Sequence, residues 1–149
     1  MRSWSFRKPV IRKNTTKFRA NTFGFYAFNG KGTVKTYTNS KQESVMDLLR
    51  EIRYKNLLNH ILMILDNFSA HRTENVAITA EILDIELIFL PPYSPQLNPI
   101  EFIWKSIKKV MSRTFVKDQE MMIDLVRTNF NDLSKSKSFC ERWVETFAN

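Results

Sequence analysis

Ile61-Leu62-Met63-Ile64-Leu65-Asp66 is a wholly apolar run closed by an acid. Flat hydrophobicity over so short a stretch predicts a strand buried on both faces, as in a parallel sheet. Ile85 to Leu90 reads as a second buried strand, stopped by Pro91-Pro92 because proline cannot donate to a ladder. Between them, Ser69 is placed to cap a helix running to about Leu83. A strand-helix-strand unit of this kind requires a right-handed crossover and a parallel pair. The expected class is therefore α/β.

Upstream, Phe18 to Phe28 is rich in Phe, Tyr and Thr, and Thr33 to Thr38 is β-branched and aromatic. Asn29-Gly30-Lys31-Gly32 between them is turn chemistry, so a β-hairpin is expected. Ser40-Lys41-Gln42-Glu43 has the form of a capping box, followed by Val45, Leu48, Leu49 and Ile52 at helical spacing to about Asn56. Downstream, Asn98-Pro99 offers an N-cap and a first-turn proline. Ile100, Ile103, Trp104, Ile107 and Met111 then form the apolar stripe of a helix. Two further helices are expected, about 118–133 and 138–147, the second opened by Ser138-Phe139-Cys140-Glu141. A mixed sheet flanked by helices results.

A chain of 149 residues holds one domain of ordinary size. With 43% hydrophobic and 26% charged residues it is globular rather than disordered. A single cysteine excludes an intramolecular disulfide framework, and with only two histidines it excludes a Cys/His zinc site. The run ending at Leu65 is far too short to span a membrane, and no apolar segment follows Met1 as in a secretory signal. The expectation is a cytoplasmic, intracellular protein with no membrane partner.

The charge is unevenly placed. Residues 1–42 hold ten of the 23 Lys and Arg and no acid, leaving 13 bases against 15 acids in the rest. Such asymmetry points to a polyanion, nucleic acid above all, although a solvated basic face would read the same way. The arm around Trp4, Phe6, Val10 and Ile11 carries Arg7, Lys8, Arg12 and Lys13 as candidate phosphate contacts.

Several residues could carry chemistry. Asp66 lies at the carboxyl end of a predicted parallel strand, where ligands of α/β sheets bind. A carboxylate there is costly to bury unless paired or bound to a cation, but Asp66-Asn67 could equally form an Asx turn. Glu101 falls in the first turn of its helix, where it would also serve as an ordinary dipole-compensating residue. Glu101, Lys105 and Lys108 share one helical face, which suits a metal site beside a phosphate-gripping ridge or a solvated, ion-paired surface. His71 is placed to contact a phosphate or a metal-bound water, or to cap and pack. Tyr93 and Ser94 lie on a proline-stiffened loop.

These residues carry a resemblance. Leu65-Asp66-Asn67-Phe68-Ser69-Ala70-His71 resembles the segment around the second catalytic aspartate of DDE transposases. Leu90-Pro91-Pro92-Tyr93-Ser94-Pro95-Gln96-Leu97-Asn98-Pro99-Ile100-Glu101-Phe102-Ile103-Trp104 closely resembles the signature around their catalytic glutamate. Thirty-four residues lie between Asp66 and Glu101, a spacing like that of the mariner-related insertion-sequence group. Trp4 and Lys8 also resemble a Trp and a Lys that follow the first catalytic strand there. The likeness spans about residues 1–113 and loosely the remainder.

The resemblance implies a ribonuclease H-like core at about 18–113 with C-terminal helices at about 118–147, all within one partial catalytic domain. It implies DNA cleavage and strand transfer, with DNA (transposon ends and target) as partner and two Mg²⁺ or Mn²⁺ ions in an intact enzyme. Asp66 and Glu101 would be catalytic metal ligands, with Asn67, His71 and Asn98 as auxiliary residues and Lys105 and Lys108 on the DNA. The family's first aspartate lies on the first strand, before the hairpin, yet no Asp or Glu precedes Glu43. The family's N-terminal helix-turn-helix is also absent. The expectation is thus a sheet lacking its first, central strand, and a chain inactive alone. It would act as a piece of a transposase, as a homodimer or paired with an intact transposase; the alternative is a non-enzymatic DNA-binding competitor.

Overall fold

The computed structural model describes residues 3–4, 21–27, 30–92, 94, 97–136, 141–142 and 145. Five strands form one sheet in the order β3-β2-β1-β4-β5: β1 Ser3–Trp4, β2 Asn21–Ala27, β3 Thr33–Tyr37, β4 Ile61–Leu65 and β5 Ile85–Phe89. β1 pairs antiparallel with β2 and parallel with β4, which in turn is parallel to β5 with Leu65 opposite Phe89. The hairpin, the parallel pair and the mixed sheet are thus as the sequence led us to expect. The central position is occupied by Ser3–Trp4, neither of which is acidic.

Helices cover both faces. On one lie α1 Gln42–Lys55, a 3₁₀ turn Ser69–Arg72 and α2 Glu74–Ile82. On the other lie α3 Ile100–Ser112 and α4 Gln119–Ser134. The α1 stripe of Val45, Leu48, Leu49 and Ile52 is wholly buried, as is the α3 stripe from Ile100 to Met111. Burial of each large aliphatic side chain contributes about 1.5–3 kcal/mol before entropy is counted. Gly24 lets α3 and α4 approach β2: a Cβ there would lie 2.5 Å from Phe130 and 2.8 Å from Trp104. Those two rings stack at 5.1 Å between centroids, closing the core on that side.

Several local expectations need correction. The strand buried on both faces is β2, where Thr22 to Ala27 are all buried. β4 alternates instead, with Ile61, Met63 and Leu65 buried and Leu62 and Ile64 half-buried. β5 is not a buried strand but the edge of the sheet, with Glu86 and Ile88 exposed. Ser40 does not cap α1. Lys41 is the N-cap, with no side-chain cap bond, and Asn39 Oδ1 accepts from the Lys41 N–H at 2.9 Å and from the Ser44 hydroxyl at 3.1 Å. An Asx turn therefore enters the helix in place of a capping box. Ser69 starts a 3₁₀ turn rather than a long helix, and α2 begins anew after Thr73, whose hydroxyl accepts from the Val76 N–H. α4 is capped by Asp118 Oδ1 on the Met121 N–H at 2.8 Å. The basic arm, most of the expected 138–147 helix and its capping box lie outside the described residues.

Candidate active site

Asp66 follows β4 directly and its side chain is 26% exposed. Its Oδ1 accepts from the Phe68 N–H at 3.1 Å, so the Asx turn weighed as an alternative is present. The same oxygen lies 3.0 Å from Nδ1 of His71. Nδ1 is also 3.4 Å from the Asp66 carbonyl, and two acceptors on one ring nitrogen place the proton there. His71 is buried, edge-on to Phe68 at 5.3 Å and to Phe23 at 6.5 Å. The imidazole therefore has one orientation, and it fixes the carboxylate it holds. The Asx turn and the binding role expected of Asp66 are compatible: the turn shapes the backbone while the carboxylate stays partly open to solvent.

Asn67 and Arg72 close the outer side of this turn. Arg72 Nη1 donates to Asn67 Oδ1, and the guanidinium sits 5.3 Å over the Phe89 ring at the end of β5. The Leu90 N–H donates to the Leu65 carbonyl at 2.8 Å, which continues the ladder past β5 and sets the Pro91-Pro92 connector beside Asp66.

That connector leads to the second acid. Pro99 already has helical dihedrals, φ −57° and ψ −30°, so Asn98 takes the capping role expected of it. Its Oδ1 accepts from the Ile100 N–H at 3.3 Å, and its carbonyl accepts from the Glu101 N–H at 3.0 Å. Asn98 is buried, and its Nδ2 has no hydrogen-bond partner among the described residues. Glu101 is half-buried in the first turn of α3, while Lys105 and Lys108 are exposed further along the helix. Lys109 and Arg113 extend the exposed basic surface.

The structure thus brings Asp66, Asn67 and His71 into one hydrogen-bonded turn and sets Asn98 and Glu101 together at the start of α3. Arg7, Lys8, Arg12, Lys13 and Tyr93 lie outside the described residues. Arg72 went unnoticed in the sequence, because a continuous helix from Ser69 would not have turned it toward Asn67 and Phe89. Among the described residues no group of three or more His, Cys, Asp or Glu could hold a metal ion. The donors that stand at the two candidate positions are carboxylate oxygens, the hard ligands that Mg²⁺ and Mn²⁺ prefer. By its chemistry, each suits a ligand position of such a site. No helix among the described residues is long and apolar enough to cross a membrane.

Residues 5–123 match the family described as DDE superfamily endonuclease. A protein of Sinorhizobium fredii (strain NBRC 101917 / NGR234), known as uncharacterized protein y4pE/y4sA, is 31% identical over 97 residues, covering 63% of this chain and 67% of its own. In fold, the chain resembles the catalytic domain of Mos1 mariner transposase, with a TM-score of 0.67 at 13% identity over 97% of this chain and 81% of that one. It also resembles Mos1 in its paired end complex with Mn, with a TM-score of 0.65 at 15% identity over 99% of this chain and 54% of that one.

Proposed function

Because the chain belongs to the DDE superfamily endonucleases, we propose that it serves DNA transposition as part of a transposase catalytic domain of the mariner-related group. The observation that carries this reading is the built turn at the end of β4, where buried His71 holds Asp66 Oδ1 at 3.0 Å. A carboxylate oriented by a buried imidazole is what a metal ligand requires. The fold shared with Mos1, and the Mn in that protein's paired end complex, support the same direction.

In this reading Asp66 and Glu101 are the acidic ligands. Divalent ions held there would activate water or a 3′-hydroxyl for in-line attack on a phosphodiester and stabilise the leaving oxygen. His71 keeps the Asp66 carboxylate in one rotamer, so little reorganisation remains when a cation binds. Asn98 sets the first turn of α3 and with it the Glu101 backbone. Lys105 and Lys108, with Arg7, Lys8, Arg12 and Lys13, neutralise phosphates of the bound DNA.

We further propose that these 149 residues do not cleave DNA by themselves. The family's third acid belongs to the central strand, and residues 1–42 contain no Asp or Glu. That feature also supports the second reading, a DNA-binding competitor of an intact transposase. A nicking assay in Mg²⁺ or Mn²⁺ tests both, using this chain and a version extended upstream with an Asp-ended strand. Cleavage by the extended protein alone is expected, and loss of it on Asp66→Ala. Equal cleavage by the 149-residue chain would overturn the proposal of incompleteness.

A further inference from the structure

Arg72 has no role in the reading above, and its surroundings are unusual for a surface cation. It is exposed, yet held from two directions: Nη1 donates to Asn67 Oδ1, and the guanidinium lies 5.3 Å over the Phe89 ring. A free arginine carries considerable rotamer entropy, and much of it is already lost here before any ligand arrives. Neither contact neutralises the charge, since a carboxamide oxygen and an aromatic face are uncharged. Among the described residues Arg72 forms no ion pair. Glu74, its nearest acid in sequence, forms no ion pair with it among the described residues, and Asp66 is engaged by His71 at the inner side of the same turn.

A guanidinium has five donors in a planar fork. One is used by Asn67, which leaves a fixed, unneutralised fork one turn from the candidate catalytic carboxylate. Charge complementarity then names the ligand class. A carboxylate at Asp66 repels a phosphodiester, and a preoriented cation on the outer side of the same turn offsets that repulsion. We propose that Arg72 binds a backbone phosphate of the DNA strand lying at the Asp66 turn. This rests on the proposed DNA-processing function and adds a residue to it. Arg is suited to this where Lys is not, because bidentate phosphate contact and stacking on Phe89 both need the planar group.

The test is a titration of a labelled DNA duplex with the 149-residue chain at several salt concentrations, without divalent ions. Wild type, Arg72→Gln, Arg72→Lys and, as reference, Lys105→Gln are compared, with thermal melting of each. Loss of one phosphate contact is expected to reduce the slope of log K against log salt by about 0.9. Arg72→Gln should show that reduction with little change in melting temperature. Arg72→Lys should restore the slope but bind more weakly than wild type. An unchanged slope and affinity in Arg72→Gln, with a reduced slope in Lys105→Gln, would overturn the assignment and leave the DNA reading standing. Weaker binding at unchanged slope with a lower melting temperature would also overturn it, making Arg72 a structural prop. A wild-type slope near zero would overturn the DNA reading itself.

Discussion

Two arginines stand at opposite ends of the parallel strands, and they are used in opposite ways. Arg53 lies in the last turn of α1 and closes on four backbone carbonyls: Nε on Leu83 at 2.8 Å, Nη1 on Asn56 at 2.9 Å and Asn59 at 2.8 Å, and Nη2 on Asp84 at 2.9 Å. These carbonyls belong to the ends of α1 and α2 and the turns after them, where helix ends leave acceptors unsatisfied. Arg53 thereby staples the amino end of β4 and β5. Arg72, at the carboxyl end, touches one side-chain oxygen and one ring. The same residue type is used up by the backbone at one end and left available at the other. Polar groups that satisfy the fold mark structure, whereas polar groups oriented but not neutralised mark a place for a ligand.

The largest expected effect breaks the staple. Arg53→Ala removes four charge-assisted bonds and should cost about 2–3 kcal/mol, the range for hydrogen bonds to charged groups when the loss is partly relieved by water. For a chain of this size the melting temperature should fall by about 4–12 °C. DNA affinity per folded molecule should not change, in contrast to the Arg72 variants. A melting temperature within a degree of wild type would remove the contrast between the two ends.

A smaller effect sharpens it through pH. Asp47 on α1 ties the hairpin down, accepting from the Tyr37 hydroxyl at 2.7 Å and from Lys35 Nζ at 2.9 Å. The Tyr37 hydrogen bond, then that of Lys35, lower the Asp47 pKa from its ordinary 3.8. Burial and the same carboxylate push the Tyr37 phenol up beyond any working pH. A depressed carboxyl contributes stability that is complete above its unfolded value and lost as pH falls through the folded one. The Asp47 side chain is 45% exposed, so Asp47→Asn should cost only about 0.5–1 kcal/mol at neutral pH. The difference between the two proteins should shrink as pH drops below 3.8, the ordinary carboxylate value. Denaturant unfolding at a series of pH values measures it, and a gap that stayed constant into acid would contradict the account.

Where sequence reading succeeded, one periodicity decided the outcome. Ile61–Leu65 had no polar residue to confuse its limits, and the stripes of α1 and α3 repeat at helical spacing through their length. It failed where tertiary contacts chose between local options. Ser69 to Leu83 could have been one helix, but His71 is drawn inward to Asp66, Phe68 and Phe23, which leaves a 3₁₀ turn and restarts the helix at Thr73. Asn39 captured the Lys41 N–H before Ser40 could act as a cap. β5 is as apolar as many buried strands, and only its position at the sheet edge exposes Ile88. The proposal of Asp66 and Glu101 as the acids came from two sequence motifs. The geometry that supports them, with His71 on one side of the turn and Arg72 on the other, needed the folded chain.

The central claim is that Asp66 and Glu101 are metal ligands, with His71 orienting the first. Mn²⁺ binding to the 149-residue chain, followed by calorimetry, addresses it without any need for cleavage. Wild type is compared with Asp66→Asn, Glu101→Gln and His71→Ala. The account predicts weak but measurable binding by wild type. Each carboxylate substitution should weaken it by at least about ten-fold, and His71→Ala by about 10–100-fold, as for supporting residues of metal sites generally. Mn²⁺ affinity equal to wild type in either carboxylate variant would contradict it.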